Sequence, residues 1–486
     1  MNKQIGSPES EEKQIDLISL ILVIMTVAVL PLIAIPKVVA TPVNTWYFLD
    51  YVGYYKVIFL LIISMFMITL MGFKAIARKQ RIKFSIPLIL FTLWVFVSFL
   101  FSTNKVVAFI GYTLRWQGLL SYLCYFVIFT FVVNMLKPKY IGKVLAALFI
   151  SSSIIAIHSM LNYYGFEPLA IPIEYLFGYT GVKLDPRICR GTLGNRNTAG
   201  AYFALLTIIS LIMFLKNSGK KKNVLYFSVL LLSYAGLLVS LTRIAWLGTI
   251  CALVIIAWYF RKDFRKYLKK IIVVFLSFVI VLIMLDITGG SKIIGQYYSF
   301  IFQVKKAQDG DLEQFGSSRF YIYGRAFKVV AANPIVGVGP DCFVYVGFLT
   351  KEDYEKHPEL SNIGYFDKVH SEYLEYAATM GIPALILFIW FVLSIYIPWL
   401  RKKNEIQPEM LAVFFAWTGY LIQAAFNFGA ISVLPVVFVL IGILKIGLIY
   451  ENYEENDEAT KNLENNDDTA CIELVKDDTD DNFSLT

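Results

Sequence analysis

Twelve apolar stretches of about 17 to 25 residues recur along this chain, the length an α-helix needs to cross a hydrocarbon core about 30 Å thick. They lie near 17–39, 57–73, 84–102, 119–136, 143–161, 199–216, 223–241, 244–260, 271–287, 379–399, 409–427 and 430–449, and nearly every interior lacks Asp, Glu, Lys and Arg. In lipid each backbone N–H and C=O needs an internal partner, so such a chain folds as packed helices. The expected fold class is an all-α polytopic membrane protein with about 12 transmembrane helices and one long extracytoplasmic loop containing short helices. The 57% hydrophobic and 16% charged residues and the mean hydropathy of +0.63 argue against a soluble protein of 486 residues. Nucleic-acid modules, zinc domains and disulfide scaffolds are disfavoured too. The five Cys are scattered without a C-x-x-C pair, and three His leave little material for a metal site.

Charge divides the chain. Residues 451–486 hold 13 Asp and Glu against 2 Lys, a net charge of −11, which leaves +19 on the remainder. So acidic and apolar-poor a segment reads as a disordered cytoplasmic tail without a catalytic role. Lys and Arg in short loops set orientation, and the even-numbered connections are basic: Lys74 to Lys83, Lys137 to Lys143, Lys220 to Lys222, Arg261 to Lys270, and Arg401 to Lys403. Both termini are therefore expected in the cytoplasm. The predicted organisation is a cytoplasmic N-terminal segment 1–16 and transmembrane helices 1–9 over 17–288. A large extracytoplasmic loop at 289–372 precedes helices 10–12 over 373–450 and the tail 451–486. The first apolar run is too long for a signal-peptide core and reads as an uncleaved anchor. The expected location is a bacterial cytoplasmic membrane.

Basic residues on the outer side run against the orientation rule, and motif-like strings gather there. RICRGTLGNRNT holds Arg187, Arg190 and Arg196; the short turn TRIAWLG holds Arg243; GSSRFYIYGRAFKVV holds Arg319 and Arg325. In the last string Ser317 or Ser318 is placed to cap a helix with Phe320, Tyr323, Phe327 and Val330 at helical spacing, which would end at Asn333-Pro334. A Gly-rich string, Ile335-Val336-Gly337-Val338-Gly339-Pro340, comes next, and DKVHSEYLEYAATMG brings His370 immediately before the tenth span. Arginine's planar fork binds phosphate oxygens in a bidentate way, so an arginine cluster suits a diphosphate. A histidine can take the proton of an attacking hydroxyl. Together these groups describe glycosyl transfer from a lipid diphosphate, with arginines stabilising the leaving group.

At these residues the chain resembles the O-antigen ligase and O-antigen polymerase superfamily, over roughly 100 to 440. R-x3-L stands as Arg243 to Leu247, and H-x10-G as His370 to Gly381. R-G-T-L-G-N at Arg190, S-R at Arg319 and N-P-I-V-G-V-G-P at Asn333 are similar as well. One departure is Arg196, which occupies a place in the G-N-x-N string where proline is expected. The resemblance implies a membrane glycosyltransferase that moves an oligosaccharide from undecaprenyl diphosphate to an acceptor glycan, lipid or protein, without cofactor, metal or nucleotide sugar. It implies that Arg190, Arg243 and Arg319 bind the diphosphate and that His370 activates the acceptor hydroxyl. Arg196, Asp367, Glu372 and Glu375 are candidate supporting residues.

Plainer readings stand beside these. An arginine at a span end is often a headgroup anchor, which covers Arg187, Arg196 and Arg325. His158 reads as a packed, hydrogen-bonded residue, His357 as solvent-facing, and the Gly337-Gly339 string as a turn rather than a phosphate cradle. Two alternatives to a ligase are a polymerase joining lipid-linked repeat units and a secondary transporter or lipid-oligosaccharide flippase. Transporters place ionisable groups at the bilayer midplane and show matching halves; here span interiors are nearly uncharged and no repeat is visible.

Overall fold

The computed structural model describes residues 8–40, 47–50, 52–169, 191–308, 315–356, 364–402 and 406–450. Each of the twelve apolar runs coincides with a helix, the first only as far as Leu32. In chain order these are α1 (Pro8–Ile24), α2 (Tyr54–Ala77), α3 (Ile86–Leu100), the short α4 (Lys105–Ile110), α5 (Leu119–Met135) and α6 (Ile141–Tyr163). They continue as α7 (Arg196–Lys216), α8 (Lys220–Val239), α9 (Arg243–Tyr259) and α10 (Phe264–Thr288). The segment after α10 contains α11 (Lys292–Gln308), α12 (Phe315–Ala332) and the six-residue α13 (Lys351–Lys356). The chain then forms α14 (Glu372–Arg401), α15 (Pro408–Ala424) and α16 (Leu434–Tyr450). Eight helices among the described residues are long and apolar enough to cross a membrane; α3, α5 and α16 are shorter apolar helices.

α1 begins at Pro8, within the polar segment 1–16, where Glu9 and Lys13 pair one turn apart at 2.7 Å. Two local expectations need correction. The helical course of α1, continued through a π turn, ends at Leu32 just after Pro31, and Lys37–Ala40 pairs antiparallel with Tyr47–Asp50 as a small hairpin. The helix over 315–332 starts two residues before Ser317, so the proposed capping serines lie within its first turn.

The middle of the bundle is α7. Between Asn197 and Leu215 it carries no charged residue, and it is buried on all sides by neighbours that include α8, α9 and α15. Glycines allow the close approach. A Cβ at Gly200 of α7 would stand 2.8 Å from the Ala245 methyl of α9, and one at Gly236 of α8 would stand 2.8 Å from the Phe203 ring. Gly248 of α9 lies against Gln423 of α15 in the same way. Since Gly200 and Ala245 sit one turn inside their helices, this contact brings the starts of α7 and α9 together.

The connections gather in two sets, as alternating spans require. At one end Arg78 pairs with Glu11 (2.8 Å), Lys137 pairs with Glu12 and Asp16 (2.9 Å each), and 215–218, 266–270 and 406–408 enclose one cleft. At the other end Trp116 Nε1 donates to Asp50 (2.6 Å), Arg115 pairs with Asp367 (2.5 Å), and Asn427 Nδ2 donates to the Asn197 carbonyl (3.2 Å).

Candidate functional site

The second end holds the arginines. Asn195 caps α7 by accepting from Asn197 N at 2.7 Å, so Arg196 is the first helical residue. The turn Leu241-Thr242, with Leu241 left-handed at φ 52°, places Arg243 at the start of α9. Thr242 Oγ1 donates to the Arg196 carbonyl at 2.9 Å and ties the two helix starts together. Arg319 enters from α12. Arg196, Arg243 and Arg319 line one cavity of about 620 Å³ whose other walls include Leu247, Ile250 and Phe300. The Arg243 guanidinium lies 5.9 Å from the Phe300 ring centre. Burial, with Arg243 and Arg196 nearby, holds the Arg319 guanidinium below its ordinary range. Three like charges at a helix-start cavity favour an anion strongly.

Of the arginines expected from the sequence, Arg190 and Arg187 lie outside the described residues, as does His357. Arg325 faces away from the cavity. It bonds to the Val346 carbonyl (3.0 Å), Asp353 (3.1 Å) and the Phe348 carbonyl, and so braces the loop. His158 Nε2 meets Glu167 Oε1 at 2.9 Å, the packed and hydrogen-bonded role read for it.

His370 is not in the cavity lining; it stands beside it. Tyr323, one turn after Arg319 on α12, lines the cavity and donates from its hydroxyl to the His370 carbonyl at 3.1 Å. The imidazole packs edge-on against Phe428 at 5.1 Å, and Arg115 covers the same ring at 4.9 Å. Burial first, then the positive field of Arg319, pushes the His370 pKa down to about 3, with Asp367 opposing. The ring is therefore neutral near pH 7. Its Nδ1 is buried without a hydrogen-bond partner among the described residues. The backbone is left-handed at φ 62°, unusual for a non-glycine residue.

A buried ionic network holds that backbone. Lys368 Nζ contacts Asp341 Oδ1 at 2.7 Å and Glu375 Oε1 at 3.1 Å, while Val369 N donates to Glu375 Oε2 at 2.8 Å. Burial opposes charge on Lys368, but Asp341 and Glu375 outweigh it and hold the ammonium above its ordinary range. Asp341 Oδ2 also accepts from Tyr112 N (2.7 Å) and Gln117 N (3.0 Å). The three candidate supporting carboxylates thus each have a partner: Asp367 has Arg115, Glu375 has Lys368, and Glu372 accepts from Tyr376 (2.7 Å) and Tyr420 (2.8 Å). Asp341, Lys368 and Arg115 were missed in the sequence. Arg115 lies between the third and fourth apolar runs, an odd-numbered connection that the orientation rule expects outside, where a basic residue is itself a signal.

The Gly-rich string is a turn, as expected, and docks on α14. Gly339 N donates to the Thr379 carbonyl (2.7 Å) and Ile382 N to the Pro334 carbonyl (2.8 Å), across a break in α14 at Gly381. The R-G-T-L-G-N turn is described from Gly191 onward. Buried Lys56 Nζ fixes it by donating to the Thr192 carbonyl (2.5 Å) and Ser432 Oγ (3.1 Å).

A helical membrane protein with an arginine-lined cavity at one end, beside a neutral histidine, is the class that fold and site define. Residues 227–389 match the family model described as O-antigen ligase, which places this part of the chain in the O-antigen ligase and polymerase superfamily. The match spans Arg243, Arg319, His370 and Gly381. No curated protein is similar enough to the chain to match it. Family and apolar helices together indicate a multi-pass protein of a bacterial inner membrane acting in polysaccharide biosynthesis, with lipid-linked glycans as its substrate class.

Proposed function

We propose that the chain is an O-antigen ligase-like glycosyltransferase that moves an oligosaccharide from undecaprenyl diphosphate to an acceptor hydroxyl at the outer face of the membrane. The observation that carries this reading is the convergence of Arg196, Arg243 and Arg319 on one cavity that also has apolar walls. A lipid diphosphate presents this pair of surfaces. The acceptor oxygen attacks the anomeric carbon, the bond from that carbon to the phosphate oxygen breaks, and undecaprenyl diphosphate leaves with the electron pair. The arginines stabilise the charge growing on the leaving oxygen. His370 takes the acceptor's proton: its ring is neutral and free to accept, and a diphosphate held by Arg319 raises its basicity by offsetting the positive field that lowers it. It stands beside rather than within the cavity lining, so the acceptor approaches from the Tyr323 and Phe428 side.

A polymerase would use the same residues with a second lipid-linked repeat as acceptor. The envelope glycan of a deletion strain separates the two. Full-length chains stranded on the lipid support a ligase; loss of chain length with one repeat still transferred supports a polymerase. An unchanged envelope overturns both.

A further inference from the structure

The end of the bundle opposite the arginine cavity is basic in both halves of the chain, but among the described residues ion pairs answer that charge only in the first. There Glu11 pairs with Arg78, and Glu12 and Asp16 with Lys137. In the second half Lys220, Lys221, Lys222, Arg261, Lys262, Arg265, Lys266 and Lys269 are exposed, and none forms an ion pair among the described residues. The acids described on these connections are Asp263 and Glu409. Between the connections lies a cleft of about 590 Å³ lined by Lys216, Asn217, Asn223, Lys266, Lys270 and Gln407. Lys270 is committed, donating to the carbonyls of Phe214 (2.7 Å), Leu215 (3.1 Å) and Asn217 (2.5 Å) at the end of α7. Lys216 and Lys266 meet aromatic faces, of Phe260 at 5.4 Å and Tyr267 at 5.5 Å, and no carboxylate among the described residues.

The chain leaves α16 at this same end. Lys402 Nζ donates to the Gly447 carbonyl at 3.4 Å, and a Cβ at Gly447 would stand 3.1 Å from Met410 Sδ, two residues past the cleft residue Pro408. Beyond α16 the sequence runs on through residues 451–486, with 13 Asp and Glu against 2 Lys. At full extension a segment of that length spans on the order of 100 Å, far more than the face requires.

We infer that segment 451–486 is the occupant of this basic face. Its carboxylates pair with Lys216 and Lys266 in the cleft and cover the lysines at 220–222 and 261–269, as Glu11, Glu12 and Asp16 do for the first half. The contact is made of many exposed ion pairs, so it exchanges and is sensitive to salt. It requires nothing of the reaction at the other end.

The test compares three chains in discs of zwitterionic phosphatidylcholine: the full chain, a chain ending at Tyr450, and a full-length chain with Asp477, Asp478, Asp480 and Asp481→Asn. The rate of modification by an amine-reactive reagent is read at each lysine by peptide mass spectrometry. Lys220, Lys221, Lys222, Lys266 and Lys269 should react about threefold or more slowly in the full chain than in the truncated one at low ionic strength, with the neutralised chain between them. High salt should erase the difference, and Lys79 and Lys139 should not respond. Carbodiimide should link carboxylates of 451–486 to these same lysines. Equal rates in all three chains would overturn the inference. So would protection that appears only when phosphatidylglycerol is added and does not depend on the segment, which would make anionic lipid the occupant.

Discussion

Gly381 lies so close to Ile335 that a Cβ added to the glycine would stand 1.8 Å from the Ile335 carbonyl oxygen. The H-x10-G pattern and the N-P-I-V-G-V-G-P string are therefore two sides of one contact. Gly381 takes φ 83°, breaks α14, and lets the Gly-rich turn pack into the break just before Asp341, which holds Lys368 and so the His370 loop.

Gly381→Ala should damage both fold and activity. The φ 83° and ψ 165° of Gly381 lie in a region essentially restricted to glycine, where an alanine costs about 1–3 kcal/mol, and the backbone clash adds to it. Thermal stability and transfer activity should both fall. Gly324→Ala, on α12 with open space around it, is the control and should leave both unchanged or slightly improved. Wild-type stability in Gly381→Ala would show that the two strings do not depend on each other.

The arginines should fall into two groups. Arg243→Lys keeps the charge but loses the fork, and Arg243→Ala loses both, so activity should drop in that order. Removing a single charge-stabilising donor costs about 10²–10³ in rate. Arg319→Ala and Arg196→Ala should weaken donor binding as well. Arg325→Ala should lower stability while leaving donor affinity unchanged in the folded fraction, because its bonds go to Val346, Phe348 and Asp353. Titration with a lipid diphosphate analogue separates these outcomes.

The helical frame was legible because apolar length is a one-dimensional property: every run coincides with a helix, the first only to Leu32, and eight of the helices are long and apolar enough to cross a membrane. Arg243 and Arg319 were legible because the orientation rule makes an outer arginine conspicuous. By the same reasoning Arg115 is conspicuous, although no motif marks it. Asp341 comes from one stretch and Lys368 and Glu375 from another, which meet through tertiary packing at the Gly381 break, so their ionic network is invisible to spacing. The hairpin over 37–50 was missed because Lys37–Ala40 is nearly as apolar as the helix before it, and length alone does not register the stop after Pro31.

Lys368→Met should be among the most damaging changes outside the cavity. It leaves Asp341 and Glu375 buried without their cation, and breaking a buried ion pair in this way commonly costs about 3–5 kcal/mol. Joint replacement of Lys368→Met and Glu375→Leu should recover part of that loss. A thermal denaturation series on the two single variants and the double variant checks it; additive losses would show that the two side chains are not coupled.

His370 offers the sharpest test, because its environment predicts the direction of a pH effect. Burial and Arg319 push its pKa down to about 3, so the ring stays an acceptor well below the ordinary histidine range. A diphosphate bound by Arg319 cancels part of that positive field, and a nearby anion favours the imidazolium. The pKa should therefore be higher with donor bound than without. Since kcat reports the complex and kcat/KM the free enzyme, the acid limb of kcat should lie at higher pH than that of kcat/KM for the donor. His370→Gln keeps the size and a hydrogen-bonding group but cannot take the proton, so turnover should fall by about 10²–10⁴. Donor affinity should survive, because proton acceptance acts mainly in the transition state. If instead His370 only fixes the chain before α14, a well-inserted His370→Gln protein would transfer glycan at near wild-type rate and keep the same acid limb. That result would remove the base and leave the arginine cavity as the whole of the proposed machinery.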